Sequence, residues 1–295
     1  MERVLKLFFL FLLLLFIFLP FFSLYHAIKL GRGAEVRRAI PIPYVVPKIQ
    51  KELKKHGFHD QLRVTLQKGF NDPRFIDSVF NDPRLGLDSL ILFPPRVVPR
   101  WKGYSFLFTE ESIERGRSFL SKNKKELKRV DSVFSVPPSV VVAILKVETD
   151  IGYFLGKYYV PNVFYTKYYI NRKRGRSVFH LVKQFRIFLE LSQKNNWDPL
   201  QIKGSWAGAF GWCQFMPFSD KYYAIDWNGD GVVNLFEKED AMASIANYLF
   251  ENGWYKKSKP RQLKSLWRYN RSNTYARAVY EYALIISDNK KSHIF

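Results

Sequence analysis

The amino-acid sequence predicts a mainly α-helical protein, with a small helical N-terminal region over residues 48–99 and a larger helical domain over residues 100–295. Three observations carry that reading. Apolar residues recur at helical spacing in segments that open on Ser, Thr, Asp or Asn and close near Gly. Prolines stand where a first helical turn tolerates a missing N–H, while strand signals are few and short. The string DWNGDGVVNLFE, Asp226 to Glu237, sets oxygen-bearing side chains at alternate positions around a central glycine, the pattern of an ion-binding loop.

The chain has 295 residues, 47% hydrophobic and 17% aromatic, which suffices for one large core or two ordinary ones and excludes a disordered chain, a collagen-like repeat or a polar linker protein. Cys213 is the one cysteine, so neither an intrachain disulfide nor a cysteine-rich zinc cluster can form. No organic cofactor is called for. With 47 basic and 26 acidic residues the formal charge is +21, which predicts attraction to a polyanion: nucleic acid, anionic lipid or an acidic cell-wall polymer.

Taken in order, Arg3 and Lys6 precede an uncharged run from Leu7 to Tyr25. As a helix it would span about 28 Å, close to a bilayer core. Residues 1–28 are read as a signal anchor or signal peptide; the bulky Tyr25, two positions before the best cleavage candidate Ala27, favours an uncleaved anchor. The early basic residues put the amino terminus inside and the remaining chain outside. An exported, periplasmic protein held in the cytoplasmic membrane is expected, and export argues against nucleic acid as the partner. Removing residues 1–28 takes away only Arg3, Lys6 and Glu2, so the exported part keeps +20. Residues 29–47, rich in Gly, Pro and Arg, read as a linker.

Helices are expected at 48–55 and 60–68, then after each copy of FNDPR, at Phe70–Arg74 and Phe80–Arg84, where Asn or Asp can cap and Pro73 or Pro83 takes the first helical position. Thr109 and Ser112 offer caps for the next helix. Pro137 and Pro138 introduce the apolar run Val140 to Leu145, expected to be a buried helix that Gly152 closes. Further helices are expected at 178–193, 239–252 and 275–287. Most aromatic rings between Tyr153 and Tyr169 should be core, the rest lining a groove.

Glu148 ends the apolar run, where desolvation favours a protonated carboxyl able to act as a general acid near neutral pH. The segment GSWAGAFGWCQFMPFS, Gly204 to Ser219, alternates glycines with bulky rings. Together with VVVAILKVETDIG, ending at Gly152, and YNRSNTYARAV, Tyr269 to Val279, it resembles the lytic murein transglycosylase B family, exported or membrane-bound enzymes that cleave peptidoglycan strands. The resemblance covers about residues 100–290. It implies a lysozyme-like catalytic domain in which Ser205, Gln214, Tyr269 and Asn270 line the cleft and Arg176 matches one of two arginines common in the family; Ser177 stands in place of the second, and Cys213 replaces the usual small residue before the glutamine. The protein is expected to be a monomer.

Ordinary glycoside hydrolases need two carboxylates across the scissile bond. Asp150 lies two residues from Glu148 and so points about 160° away on a helix. A single-acid mechanism fits this sequence better. The resemblance implies that Glu148 protonates the glycosidic oxygen after N-acetylmuramic acid (MurNAc) and then, as carboxylate, takes the proton from that sugar's 6-hydroxyl, leaving a 1,6-anhydro end. The alternatives are a non-catalytic peptidoglycan-binding scaffold on the same fold and a muramidase-type hydrolase.

The loop reads as an EF-hand-like calcium site: Asp226, Asn228 and Asp230 supply side-chain oxygens, Val232 its carbonyl, Asn234 a direct or water-mediated contact, and Glu237 closes the shell. The related family loop uses a later acid, here Asp240, so both candidates stand. A structural calcium ion is expected. Peptidoglycan strands are the expected partner, with the membrane met through the N-terminal segment.

Overall fold

The computed structural model describes residues 47, 49–52, 57–94, 103–254 and 258–287. The chain falls into two units, residues 1–52 and 53–295. In the first, residues 47 and 49–52 are helical; the expected membrane segment and most of the linker lie outside the described residues.

Helix α1, Phe58–Gln67, buries Leu62 and Leu66, one turn apart. In α2, Pro73–Asn81, the first FNDPR copy behaves as its sequence implies: Pro73 opens the helix and the Asp72 carboxylate accepts the Arg74 N–H at 3.1 Å. The second copy does not. Asp82 again caps, accepting the Arg84 N–H at 2.8 Å, but only a turn forms. Leu85 and Leu87 are drawn inward as alternate residues of an extended segment, and the Asn162 side chain accepts the Gly86 N–H, so tertiary contacts override the local start signal. A short helix, α3, Ser89–Leu92, follows with Asp88 as its cap.

α4, Glu110–Lys122, starts where expected, with Thr109 Oγ1 accepting the Ser112 N–H. α5, Lys124–Phe134, follows Asn123, whose side chain makes no capping bond, and turns on Ser135 in a left-handed conformation. α6, Pro138–Thr149, is the centre of the domain: Val140 to Leu145 are all buried. Each such side chain contributes about 1.5–3 kcal/mol relative to exposure, which explains a helix built from β-branched residues of modest helix propensity. Gly152 was expected as its cap; instead the chain leaves α6 at Asp150, and Asp150, Ile151 and Gly152 all have positive φ. Asp adopts this conformation more readily than most residues, whereas the β-branched Ile151 does not, and ion pairs to Asp150, described below, hold the turn.

β1, Tyr158–Tyr159, leads into α7, Val160–Lys173, which buries Phe164, Tyr165 and Tyr168. α8, Phe179–Lys194, matches the expected element within a residue at each end. β2, Lys203–Gly204, pairs antiparallel with β1, with Tyr158 opposite Gly204 and Tyr159 opposite Lys203. Short bridges then link Gly204 to Phe210 and Phe210 to Phe215. Gly208 in this turn has φ 97°, and a Cβ there would meet the Phe164 ring at 2.6 Å, so only glycine serves. α9, Pro217–Tyr223, α10, Lys238–Leu249, α11, Lys259–Tyr269, and α12, Asn273–Ser287, complete the described chain, with a wide helical turn at Phe250–Trp254 after α10.

α6 packs against α4, α5, α10 and α12. Within this unit α1 and α2 turn apolar faces onto α7 and α8: His59 bonds the Tyr165 hydroxyl at 3.0 Å, and the Phe80 ring meets Tyr165 and Phe185. Among the described residues no single helix is long and apolar enough to cross a membrane.

Candidate active site

Glu148 sits in the last turn of α6, and its Oε1 accepts the Tyr275 O–H at 2.7 Å. Tyr275, at the start of α12, is fully buried; its ring stacks with Tyr269 at 6.3 Å and meets Tyr104 edge-on at 5.8 Å. Tyr269, the last residue of α11, donates its hydroxyl to the Cys213 carbonyl at 2.6 Å. The two tyrosines thus tie the glycine-rich turn to the carboxyl. Burial pushes the Glu148 pKa up to about 7, against the smaller opposing effect of the Tyr275 hydrogen bond. Burial raises both phenols well above their ordinary values, with the Glu148 charge adding to it, so they remain donors. Glu148 keeps a partly exposed edge on a cavity of about 560 Å³ that Phe106, Glu111, Arg115, Lys146 and Phe154 also line. A second cavity, of about 540 Å³ between α1, α7 and α8, contains none of the residues singled out from the sequence.

The turn after Glu148 is fixed twice. Thr149 Oγ1 reaches the carbonyls of Leu145 and Trp212, at 3.2 and 3.0 Å, and accepts the Gly152 N–H. The Asp150 carboxylate is held by Lys146 at 2.5 Å and by Arg115 at 2.6 Å, and Arg115 also donates to the Asp150 carbonyl. Lys146 is only 5% exposed, so the carboxylate compensates a buried cation as well as fixing its own left-handed backbone.

Of the other sequence-predicted residues, two shape the glycine-rich turn and two are exposed. Ser205 Oγ accepts the N–H groups of Ala207 and Ala209, and so shapes the glycine-rich turn. Gln214, at φ 48°, donates its amide to the carbonyls of Leu155 and Gly211, joining that turn to the loop after α6. Asn270 is exposed at the end of α11, and its carbonyl accepts the Ser272 N–H. Arg176 is exposed after α7, its backbone N–H bonded to Asn171, and no described contact brings its side chain to Glu148. Sequence reasoning missed Tyr275 and Glu111. Tyr275 lies within the YNRSNTY string itself; Glu111, in the first turn of α4, looks like any helix-start acid. Cys213 is buried, and burial foremost raises its thiol well above the ordinary value, as expected for an inert packing residue.

Residues 46–264 match the Transglycosylase SLT domain family. The chain belongs to this family. It is 34% identical over 210 residues to the membrane-bound lytic murein transglycosylase B of Escherichia coli (strain K12), a match covering 70% of this chain and 56% of that protein. The chain therefore spans little more than half the length of that relative. Its fold is similar to that of the soluble lytic transglycosylase SltB1 from Pseudomonas aeruginosa, with a TM-score of 0.68 and 26% identity over 77% of this chain and 98% of the other. It is also similar to the Escherichia coli lytic transglycosylase Slt35 in complex with calcium, with a TM-score of 0.65 and 24% identity over 78% and 92% of the two chains. The lysozyme-like, mainly helical class expected from the sequence is thus the fold of this transglycosylase family member.

The Asp226–Glu237 loop adopts a turn of nested side-chain bonds. The Asp226 carboxylate accepts the N–H groups of Gly229 and Gly231, at 2.8 and 2.9 Å; Asn228 Oδ1 accepts from Asp230 N–H and Asp230 Oδ1 from Val232 N–H. The amides of Asn228 and Asn234 donate to the two oxygens of Glu237, at 2.7 and 2.9 Å. Asp240 is fully buried behind the loop and accepts the N–H groups of Trp227, Asn228 and Asn234. Among the described residues no three His, Cys, Asp or Glu side chains are drawn together as a ready metal centre. The donors nevertheless fit calcium in kind and order, being hard oxygens at each ligand position. The loop is also wired to the site: the Trp212 N–H bonds the Leu235 carbonyl at 2.8 Å, and the Trp212 carbonyl receives the Thr149 hydroxyl.

A carboxyl whose folded pKa lies above its unfolded value stabilises the fold fully at low pH and loses that contribution as pH rises through the folded pKa. For Glu148 the window runs from 4.5 to about 7. Tyr275→Phe removes a bond that favours the carboxylate, so the pKa of Glu148 rises and the loss extends to higher pH. Urea unfolding across pH 4 to 9 should show the difference in stability between variant and wild type widening above neutrality. Asp220, buried and also raised to about 7 by desolvation, contributes equally to both proteins and cancels. A pH-independent difference would remove the bond from its assigned role.

Proposed function

We propose that this protein is a peptidoglycan lytic transglycosylase that cleaves the β-1,4 bond between MurNAc and N-acetylglucosamine without water. The observation that carries the reading is the Glu148 carboxyl, held by Tyr275 at the edge of a cavity with its pKa near 7. A group poised there is protonated often enough to act as acid and ionised easily enough to act next as base. Glu148 gives its proton to the glycosidic oxygen as the bond from that oxygen to C1 breaks. The resulting carboxylate takes the proton of the 6-hydroxyl as the 6-oxygen bonds to C1, which yields the 1,6-anhydro end and restores the acid. Tyr275 stabilises the intermediate carboxylate by its donated hydrogen bond. The nucleophile belongs to the substrate, so proximity replaces a second carboxylate. Asp150 is not free to serve, because Lys146 and Arg115 occupy its oxygens.

A second reading, a muramidase-type hydrolase, has one observation in its favour: Glu111 lines the same cavity. Product mass separates the two.

Calcium would be held by Asp226, Asn228, Asp230, the Val232 carbonyl, Asn234 and Glu237, with Asp240 anchoring the loop from behind through backbone N–H groups. The ion would act as a structural clamp on the loop that braces Trp212. Export to the periplasm, with residues 1–28 as the anchor, agrees with the membrane-bound character of the Escherichia coli relative, and the net charge of +21 suits an acidic polymer.

Glu148→Gln should abolish release of fragments from purified peptidoglycan, by at least about 10³-fold, with the melting curve retained. Mass spectrometry of the wild-type products should give fragments lighter by one water than hydrolytic ones. Full-mass reducing ends that disappear in Glu111→Gln would establish the hydrolase instead. Separately, chelation should lower Tm by roughly 5 °C, and calcium should restore it in wild type but not in Glu237→Gln; a melting curve indifferent to chelator and calcium would remove the ion from the account.

A further inference from the structure

Trp206 is 66% exposed, although it stands in the glycine-rich turn between the buried residues Gly204 and Phe210. Its position is not a matter of looseness. Ser205 Oγ fixes the turn by accepting two backbone N–H groups, and Gly208 is packed against Phe164, so the indole is held outward by a rigid frame. Tryptophan, with a large apolar body and a polar N–H, is a residue type enriched at binding surfaces. Over the indole, 4.3 Å from its ring centroid, lies the Lys167 ammonium from α7. Lys167 is half-buried, and burial lowers its pKa. Among the described residues no carboxylate pairs with it. A partly desolvated cation without an anion is a costly arrangement, and it is relieved when a ligand brings one.

The pattern repeats alongside. Tyr159 is 40% exposed and faces its cross-strand partner Lys203, whose ammonium lies 5.2 Å from the ring centroid. Trp206 follows Lys203 by three residues, and Lys167 lies roughly two helical turns beyond Tyr159. Tyr159 with Lys203 on the ribbon, and Trp206 with Lys167 in the turn that follows it, thus make two ring–lysine pairs.

We infer that Trp206 and Lys167 form a saccharide platform beside the Ser205 turn, where the indole takes the apolar face of a pyranose and the ammonium takes the carboxylate that an acidic amino sugar carries. The platform binds the glycan strand outside the cavity containing Glu148, and this assignment rests on the transglycosylase reading. The chemistry selects the occupant. A neutral sugar would use the ring alone, and a lipid headgroup would use the ammonium alone; a muramic acid residue, bearing a lactyl or peptide carboxylate, uses both.

The test is binding to the full chain in the Glu148→Gln background, so that no turnover intervenes, with two probes: a tetrasaccharide of alternating N-acetylglucosamine and MurNAc, and a tetramer of N-acetylglucosamine. Affinities of every variant for both probes are read by isothermal titration calorimetry, which needs no signal from Trp206 itself. Trp206→Ala should weaken both probes about tenfold, and Lys167→Met should weaken the muramic probe about fivefold while changing the neutral one less than twofold. Unchanged affinity for both probes in Trp206→Ala, with an unaltered melting curve, overturns the platform. Equal effects of Lys167→Met on the two probes overturn the role of the carboxylate. If the expected binding pattern holds but wild type leaves peptidoglycan uncut, the transglycosylase reading fails and the sugar platform stands.

Discussion

The hydrogen bond from Tyr275 to Glu148 concentrates the constraints of this fold into one contact. A carboxyl at the edge of an apolar helix end pays for desolvation of its charge, which raises its pKa; a phenol aimed at one oxygen limits the rise. The balance leaves the group near neutrality rather than permanently protonated. Holding both partners in place requires α6 and α12 to be packed against each other, and the wholly buried face of α6 provides that packing. The core is the reason the acid has the protonation behaviour it has.

Around this contact the chain adds supports that do not touch the carboxyl. Tyr269 stacks on Tyr275 and anchors on Cys213; Thr149 anchors on Trp212; Trp212 in turn bonds the loop at Leu235. The ion triad of Lys146, Asp150 and Arg115 fixes the left-handed turn that follows the acid. In the proposed reaction these supports keep one carboxyl in reach of two successive proton positions, which a mobile side chain could not serve without loss of rate.

Much of the fold was legible in the sequence because its signals are local. Thr109, Asp72 with Pro73, and the apolar run from Val140 to Leu145 each announced an element that forms. Local signals failed where a distant partner decides the outcome. Asp82 with Pro83 carries the same string as the first copy, yet Asn162 and the buried pair Leu85 and Leu87 hold the chain extended. Gly152 was the natural cap, but Lys146 and Arg115 let Asp150 take the left-handed position two residues earlier. The site shows the same division. Glu148 was readable from its apolar context, whereas the orientation of Tyr275 depends on α12 folding back onto α6, and the place of Glu111 on the cavity wall depends on α4 doing so. The aromatic crowd from Tyr153 to Tyr169 divides as burial preferences imply: Phe164, Tyr165 and Tyr168 are core, and Tyr153, Phe154 and Tyr159 stay at the surface.

The central claim concerns the protonation of one carboxyl, and the most direct measurement is the titration of Glu148 itself. Carbon-13 NMR of protein labelled at glutamate carboxyl groups, assigned by the resonance missing in Glu148→Gln, follows that group alone. The account predicts a midpoint at about 7; a midpoint at 4.5, the ordinary value, would contradict it.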